Sequence, residues 1–75
     1  MISDRSTAVK VVELMLDAFL RVDECCATVR ETCSIEEADA FQKTTAPIVG
    51  AIVMEILEPL YNEHPDFKPA NWVDM

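Results

Sequence analysis

The sequence predicts an all-α fold in which two long helices form an antiparallel hairpin, followed by an extended C-terminal tail. Apolar residues recur at intervals of three and four, the spacing of an amphipathic helix. The 75 residues include a single glycine, whereas an all-β chain needs turn residues about every ten positions. A hydrophobic content of 51% is too high for a disordered chain, so we expect one helical domain spanning residues 1–75.

Helix 1 is predicted at about residues 4–32, with Ser3 or Asp4 as its N-terminal cap. Its apolar residues alternate at intervals of four and three and form a heptad stripe along one face. The stripe consists of Ala8, Val12, Met15, Phe19, Val22, Cys26, Val29 and Cys33. A second apolar row widens this face, as a helix in a bundle requires.

A turn is predicted around residues 32–34, because the heptad phase is lost after Cys33. Ser34 and Glu37 have the spacing of a capping box, in which each side chain accepts a hydrogen bond from the other residue's backbone N–H. A connection this short makes consecutive helices antiparallel neighbours. The alternative is one continuous helix of about 60 residues.

Helix 2 is predicted at about residues 35–62, ending between Glu58 and Glu63. Pro47 lies inside it and lacks the N–H that would bond to the Lys43 carbonyl, so the helix must kink or restart. The spacing of apolar residues along one helix face continues across Pro47. We therefore predict a single kinked helix. A restart capped by Thr44 or Thr45 is the alternative.

The tail, residues 64–75, contains two prolines and no helical period. We expect it to run extended, with Phe67 and Trp72 docking on the helices.

The middle of helix 2, residues 46–54, has no polar face, and a helix that is apolar all round is buried all round. A two-helix hairpin covers only one side of it. We therefore expect two hairpins to pack as a homodimeric four-helix bundle. The predicted dimer interface is Pro47, Val49, Gly50, Ile52, Val53 and Ile56. A monomer covered by its own tail and a complex with another protein are the alternatives.

No catalytic, cofactor-binding or metal site is expected, and the chain is not predicted to be an enzyme. The three cysteines, Cys25, Cys26 and Cys33, have no zinc-binding spacing to His64, the single histidine. We interpret the cysteines as small apolar residues, with a redox role left open, and His64 as a surface residue near a helix end.

Fourteen acidic residues against six basic ones give a net charge of −8, which argues against direct binding to nucleic acid. The longest charge-free run, Thr44 to Met54, is shorter than the roughly 20 residues that span a bilayer. Charged residues near the N-terminus do not fit a signal peptide. The sequence is therefore interpreted as soluble and cytoplasmic.

The expected function is that of a protein–protein interaction module: an adaptor, a regulator or a small chaperone. The alternative is an acidic inhibitor, or a nucleic-acid-mimicking decoy, of a basic protein. The candidate partner contacts are Phe67, Trp72, Glu36, Glu37, Asp39, Glu55 and Glu58.

Overall fold

The computed structural model describes residues 1–69, which are helical and contain no strand. Helix α1 spans Arg5–Thr32 and helix α2 spans Ile35–Ala51. A π-helical segment, Ile52–Leu57, and a short helix α3, Glu58–Glu63, follow α2 without a break. The prediction of an all-α chain is confirmed.

Both predicted N-terminal helix caps are present. Asp4 caps α1, and its carboxylate accepts a hydrogen bond from the Thr7 backbone N–H at 2.9 Å. At the start of α2, the Ser34 hydroxyl accepts from the Glu37 N–H at 3.2 Å, and Glu37 accepts from the Ser34 N–H at 3.4 Å. These contacts close the capping box, so the alternative of one continuous helix is wrong.

The second helical stretch runs through Pro47, which lies inside α2, so the alternative of a restart there is not observed. Its last residue is Glu63, within the predicted range. The irregularity of this stretch comes later, at the π-helical segment, which the sequence did not predict.

The π-helical segment ends two residues before Pro59. The Glu58 N–H donates to the Val53 carbonyl, five residues earlier, instead of to Met54, four residues earlier. The next possible donor to the Met54 carbonyl would be residue 59, and proline has no N–H. Within the described residues, the Met54 carbonyl therefore has no helical donor.

Residues of the π-helical segment pack on the core. Leu57 is fully buried, with 0% exposure, and Ile52, Val53 and Ile56 are partly buried against the same core.

The core lies at one end of the molecule. Ala8 and Val12 of α1 pack against Leu57, Leu60 and Tyr61, which are all buried. Farther from this end, in the C-terminal half of α1 and in α2, only Ala38 and Thr45 are buried. The molecule measures 44 × 21 × 21 Å, so one half is well packed and the other is open.

Polar contacts join the first residues to the end of the helical stretch. Arg5 forms an ion pair with Asp66, and its guanidinium carbon lies 4.7 Å from the centre of the Phe67 ring. The hydrogen bond from Arg5 lowers the pKa of the Asp66 carboxyl. His64 stacks on Phe67 with 4.8 Å between ring centres, and its Nε2 lies 2.9 Å from the Ile2 carbonyl oxygen.

The structure corrects two predictions for this region. Residues Pro65–Phe67 form a 3₁₀ turn and do not run extended. His64 is half-buried between Phe67 and the N-terminal residues, where the sequence suggested an ordinary surface histidine. Docking of Phe67 on the core is confirmed, whereas Trp72 lies outside the described residues.

Candidate docking surface

The open half of the molecule contains a groove between α1 and α2 with a volume of about 390 Å³. Both helices contribute residues at the spacings that place side chains along one helix face. The lining residues are Phe19, Val22, Asp23, Cys26, Ala27 and Arg30 from α1, and Gln42, Thr45, Ala46 and Val49 from α2. We call this surface the α1–α2 groove. Most of its lining area is apolar.

Polar contacts cross from α1 to α2 beside the groove. The Cys26 sulfur lies 3.4 Å from the hydroxyl of Thr45, which is buried. Nearer the turn, Arg30 donates to the Gln42 side-chain oxygen at 2.6 Å and lies 3.9 Å from the Asp39 carboxylate. These contacts fix the pairing of the two helices and leave the apolar walls uncovered.

The groove is locally neutral, although the chain as a whole has a net charge of −8. Its lining includes one acidic residue, Asp23, and one basic residue, Arg30, whose charges cancel. The surplus of acidic side chains therefore lies elsewhere on the surface.

Several large apolar side chains outside the core are exposed. Leu20 is 59% exposed, Ile48 54% and Met54 50%. Single exposed apolar residues are normal on a protein surface, and Leu14 in the packed half is exposed to a similar extent, 53%. The apolar groove, and not these single side chains, therefore marks the open half as a candidate interaction surface.

Gly50 lies one helical turn beyond Ala46, on the side of α2 that lines the groove. Its φ is negative, so the backbone does not require glycine. A Cβ built on Gly50 meets no atom within 4 Å. No contact within residues 1–69 therefore explains a glycine at this position.

The predicted dimer interface is divided between two environments. Val49 lines the groove, and Pro47 and Gly50 are exposed beside it. The remaining members, Ile52, Val53 and Ile56, are half-buried and pack against the intrachain core.

The α1 wall of the groove was not proposed as a site from the sequence. Phe19, Val22 and Cys26 belong to the predicted heptad stripe. The sequence pattern does not show that α2 covers their side chains only partly.

The candidate acidic contacts form two separate groups. Glu36, Glu37 and Asp39 lie in the first turns of α2, where Glu37 belongs to the capping box. Glu55 lies in the π-helical segment and Glu58 begins α3. The 16 residues from Asp39 to Glu55 correspond to about 24 Å along a helix. The structure does not bring the two groups together.

The cysteines and His64 do not form a chemical site in the described residues. All three cysteines are free, with Cys25 and Cys33 exposed and Cys26 half-buried against Thr45. No group of three or more His, Cys, Asp or Glu side chains there could hold a metal ion.

The helical stretch Ile35–Glu63 is long and apolar enough to qualify as a candidate membrane span, with a mean hydropathy of 1.2 over its best window. This property rests on length and composition alone. Core helices of soluble proteins pass the same test, so it does not assign a location.

Comparison of the chain with protein-family models, with curated proteins and with solved structures gave no match. The candidate function is therefore argued from the groove and the surface around it.

Proposed function

We propose that this chain is an antiparallel helical hairpin that homodimerises through its α1–α2 groove into a four-helix bundle. The bundle acts in the cytoplasm as a protein–protein interaction module, as an adaptor, regulator or small chaperone, and not as an enzyme. The observation that carries the proposal is the apolar groove left open between two paired helices.

Contacts between distant residues support the hairpin. Cys26 meets Thr45, Arg30 meets Gln42, and Arg5 meets Asp66. As the α1 residue number rises, the number of its partner falls, which is the pattern of antiparallel neighbours.

The exposed area supports association with a further chain. The protein exposes 5251 Å². A compact monomer of 8.4 kDa is expected to expose about 4,600 Å². The excess of about 600 Å² is close to the roughly 800 Å² that each partner buries in a standard interface.

Charge supports a second copy as the partner. Two chains of net charge −8 repel each other unless they meet on a neutral surface. The groove is neutral, because Asp23 and Arg30 cancel. A strongly basic partner would instead favour an acidic surface, and the two separate acidic groups of this chain do not favour the decoy alternative.

The test is the mass in solution of the wild-type chain and two matched variants. Ala46 lines the groove, whereas Ala40 is exposed and lies six residues earlier, on another side of the same helix. Light scattering after size exclusion should give twice 8.4 kDa for the wild type and for Ala40→Glu. Ala46→Glu should give the single-chain mass, because a carboxylate would be buried at the interface. A wild-type mass of 8.4 kDa at all concentrations would contradict the proposal.

A further inference from the structure

The α1 wall of the α1–α2 groove carries one acidic and one basic residue. Asp23 and Arg30 are both exposed and are separated by two helical turns, which correspond to about 10 Å along a helix. Cys26 and Ala27 lie midway between them and also line the groove. The negative and the positive charge are therefore placed symmetrically about the middle of this wall.

The two charged residues differ in their contacts within the chain. The Arg30 guanidinium donates to the Gln42 side-chain oxygen at 2.6 Å and lies 3.9 Å from the Asp39 carboxylate. These contacts hold Arg30 beside the groove, and a guanidinium has five N–H donors, so donors remain for a further carboxylate. Within residues 1–69, Asp23 forms no hydrogen bond or ion pair. Its carboxylate is therefore open to a residue of another chain.

In a homodimer, the direction of the twofold axis decides what each charge meets. A twofold dimer uses the same surface of both copies, so that when one residue contacts a second, the second contacts the first. An axis that crosses α1 between Cys26 and Ala27 makes the two α1 helices antiparallel. Asp23 then lies opposite Arg30 of the second copy, and Arg30 lies opposite Asp23 of the second copy. The small side chains at the crossing point allow the helices to approach closely.

An axis that runs along the helices does not pair these charges. If α1 packs on α1 of the second copy, the two helices are parallel, and Asp23 and Arg30 each face their own counterpart. Such like-charge contacts across an interface are unfavourable. If α1 packs on α2 of the second copy, both charges face the α2 wall of the groove, which is uncharged and consists of Gln42, Thr45, Ala46 and Val49.

We propose that the twofold axis of the homodimer crosses α1 between Cys26 and Ala27, and that Asp23 forms an ion pair with Arg30 of the second copy. The pair occurs twice in each dimer. This inference rests on the proposed homodimer. It accounts for a single acidic and a single basic residue at matching positions of the groove in a chain of net charge −8. Complementary charges of this kind fix the register of two partners.

The experiment measures the dimer dissociation constant of the full chain by analytical ultracentrifugation, and helix content by circular dichroism. The variants are Asp23→Arg, Arg30→Glu and the double variant. Each single variant places two pairs of like charges in the dimer and should raise the dissociation constant at least about tenfold. The double variant restores opposite charges and should return the dissociation constant to within about threefold of the wild-type value.

Two controls make the same changes in net charge outside the groove. Glu13→Arg matches Asp23→Arg, and Lys10→Glu matches Arg30→Glu, since Lys10 and Glu13 are exposed on α1 and do not line the groove. At about 0.15 M salt, charges more than about 8 Å apart are largely screened, so both controls should stay within about threefold of the wild type. Asp23→Arg makes each chain less negative, so weaker association of this variant identifies a local contact.

The outcomes are distinguishable. A wild-type chain that stays monomeric overturns both the proposed dimer and this inference. A wild-type dimer whose dissociation constant is unchanged by Asp23→Arg overturns the proposed axis and leaves the dimer standing. A double variant that dimerises no better than the weaker single variant shows that the two charges do not meet, which also overturns the pair. If Arg30→Glu reduces helix content, Asp23→Arg decides the result, because Asp23 has no contact within residues 1–69.

Discussion

The backbone N–H of Glu58 donates its hydrogen bond to the carbonyl of Val53 and passes over that of Met54. This single bond rotates the remainder of the helix by about one residue relative to a regular α-helix. After this turn, Leu57 packs in the core beside Ala8 and Val12, and Asp66 contacts Arg5.

Truncating Leu57 should be far more damaging than truncating its neighbour Ile56. Leu57 is fully buried, so Leu57→Ala should lower the free energy of unfolding by about 2–5 kcal/mol. Ile56→Ala should cost less, because Ile56 is only half-buried. Urea denaturation of the two variants checks this order. The reverse order would contradict the burial of Leu57 in the core.

Removing the cap of α2 should weaken the fold measurably. Ser34→Ala removes the hydroxyl that accepts from the Glu37 N–H and should cost about 0.5–2 kcal/mol. Ser3→Ala is the matched control, because Ser3 is exposed and precedes the cap residue of α1. Thermal denaturation of both variants is the measurement, and equal melting temperatures would contradict the role of the capping box.

Gly50→Ala should stabilise the isolated chain. The added Cβ meets no atom within 4 Å and the backbone φ is negative, so the substitution introduces no strain. Alanine in a helix interior is favoured over glycine by about 0.5–1 kcal/mol. Denaturation at concentrations below the dimer dissociation constant isolates this effect. An unchanged or lower stability there would show that Gly50 packs closely within one chain.

The Arg5–Asp66 ion pair should make stability depend on acid pH. The hydrogen bond from Arg5 lowers the pKa of Asp66 in the folded chain below its unfolded value. The contribution of the ion pair to the free energy of unfolding is therefore fully present above the unfolded pKa of about 4. It is lost as the pH falls through the lower pKa of the folded chain. Both side chains are more than half exposed, so the effect should be modest.

Melting temperatures of the wild type and Asp66→Asn between pH 7 and pH 2 test this dependence. The difference between the two proteins should shrink as the pH falls. Asp4 also has a lowered pKa, from its hydrogen bonds to Thr7, but it is present in both proteins and cancels. A constant difference across the pH range would show that the ion pair adds nothing to stability.

Local sequence patterns were sufficient to predict where helices α1 and α2 begin. The cap at Ser3 or Asp4 and the Ser34–Glu37 capping box each act over about four residues, and the structure forms the cap at Asp4 and the capping box. The prediction that one helix runs through Pro47 is confirmed, and the kink there stays a prediction. The π-helical segment Ile52–Leu57 was not predicted, because its apolar residues keep the three- and four-residue spacing of an α-helix.

The sequence by itself determined that the described residues, 1–69, are helical and where α1 and α2 begin. These properties depend on side-chain pattern and on hydrogen bonds between near neighbours. The tertiary structure decided that Leu57 is fully buried, that Ile56 is partly buried against the same core, and that the core lies at one end. It also decided that Phe19 and Val49 face an open groove. Such features depend on how two helices meet, which is set by packing between residues far apart in the chain.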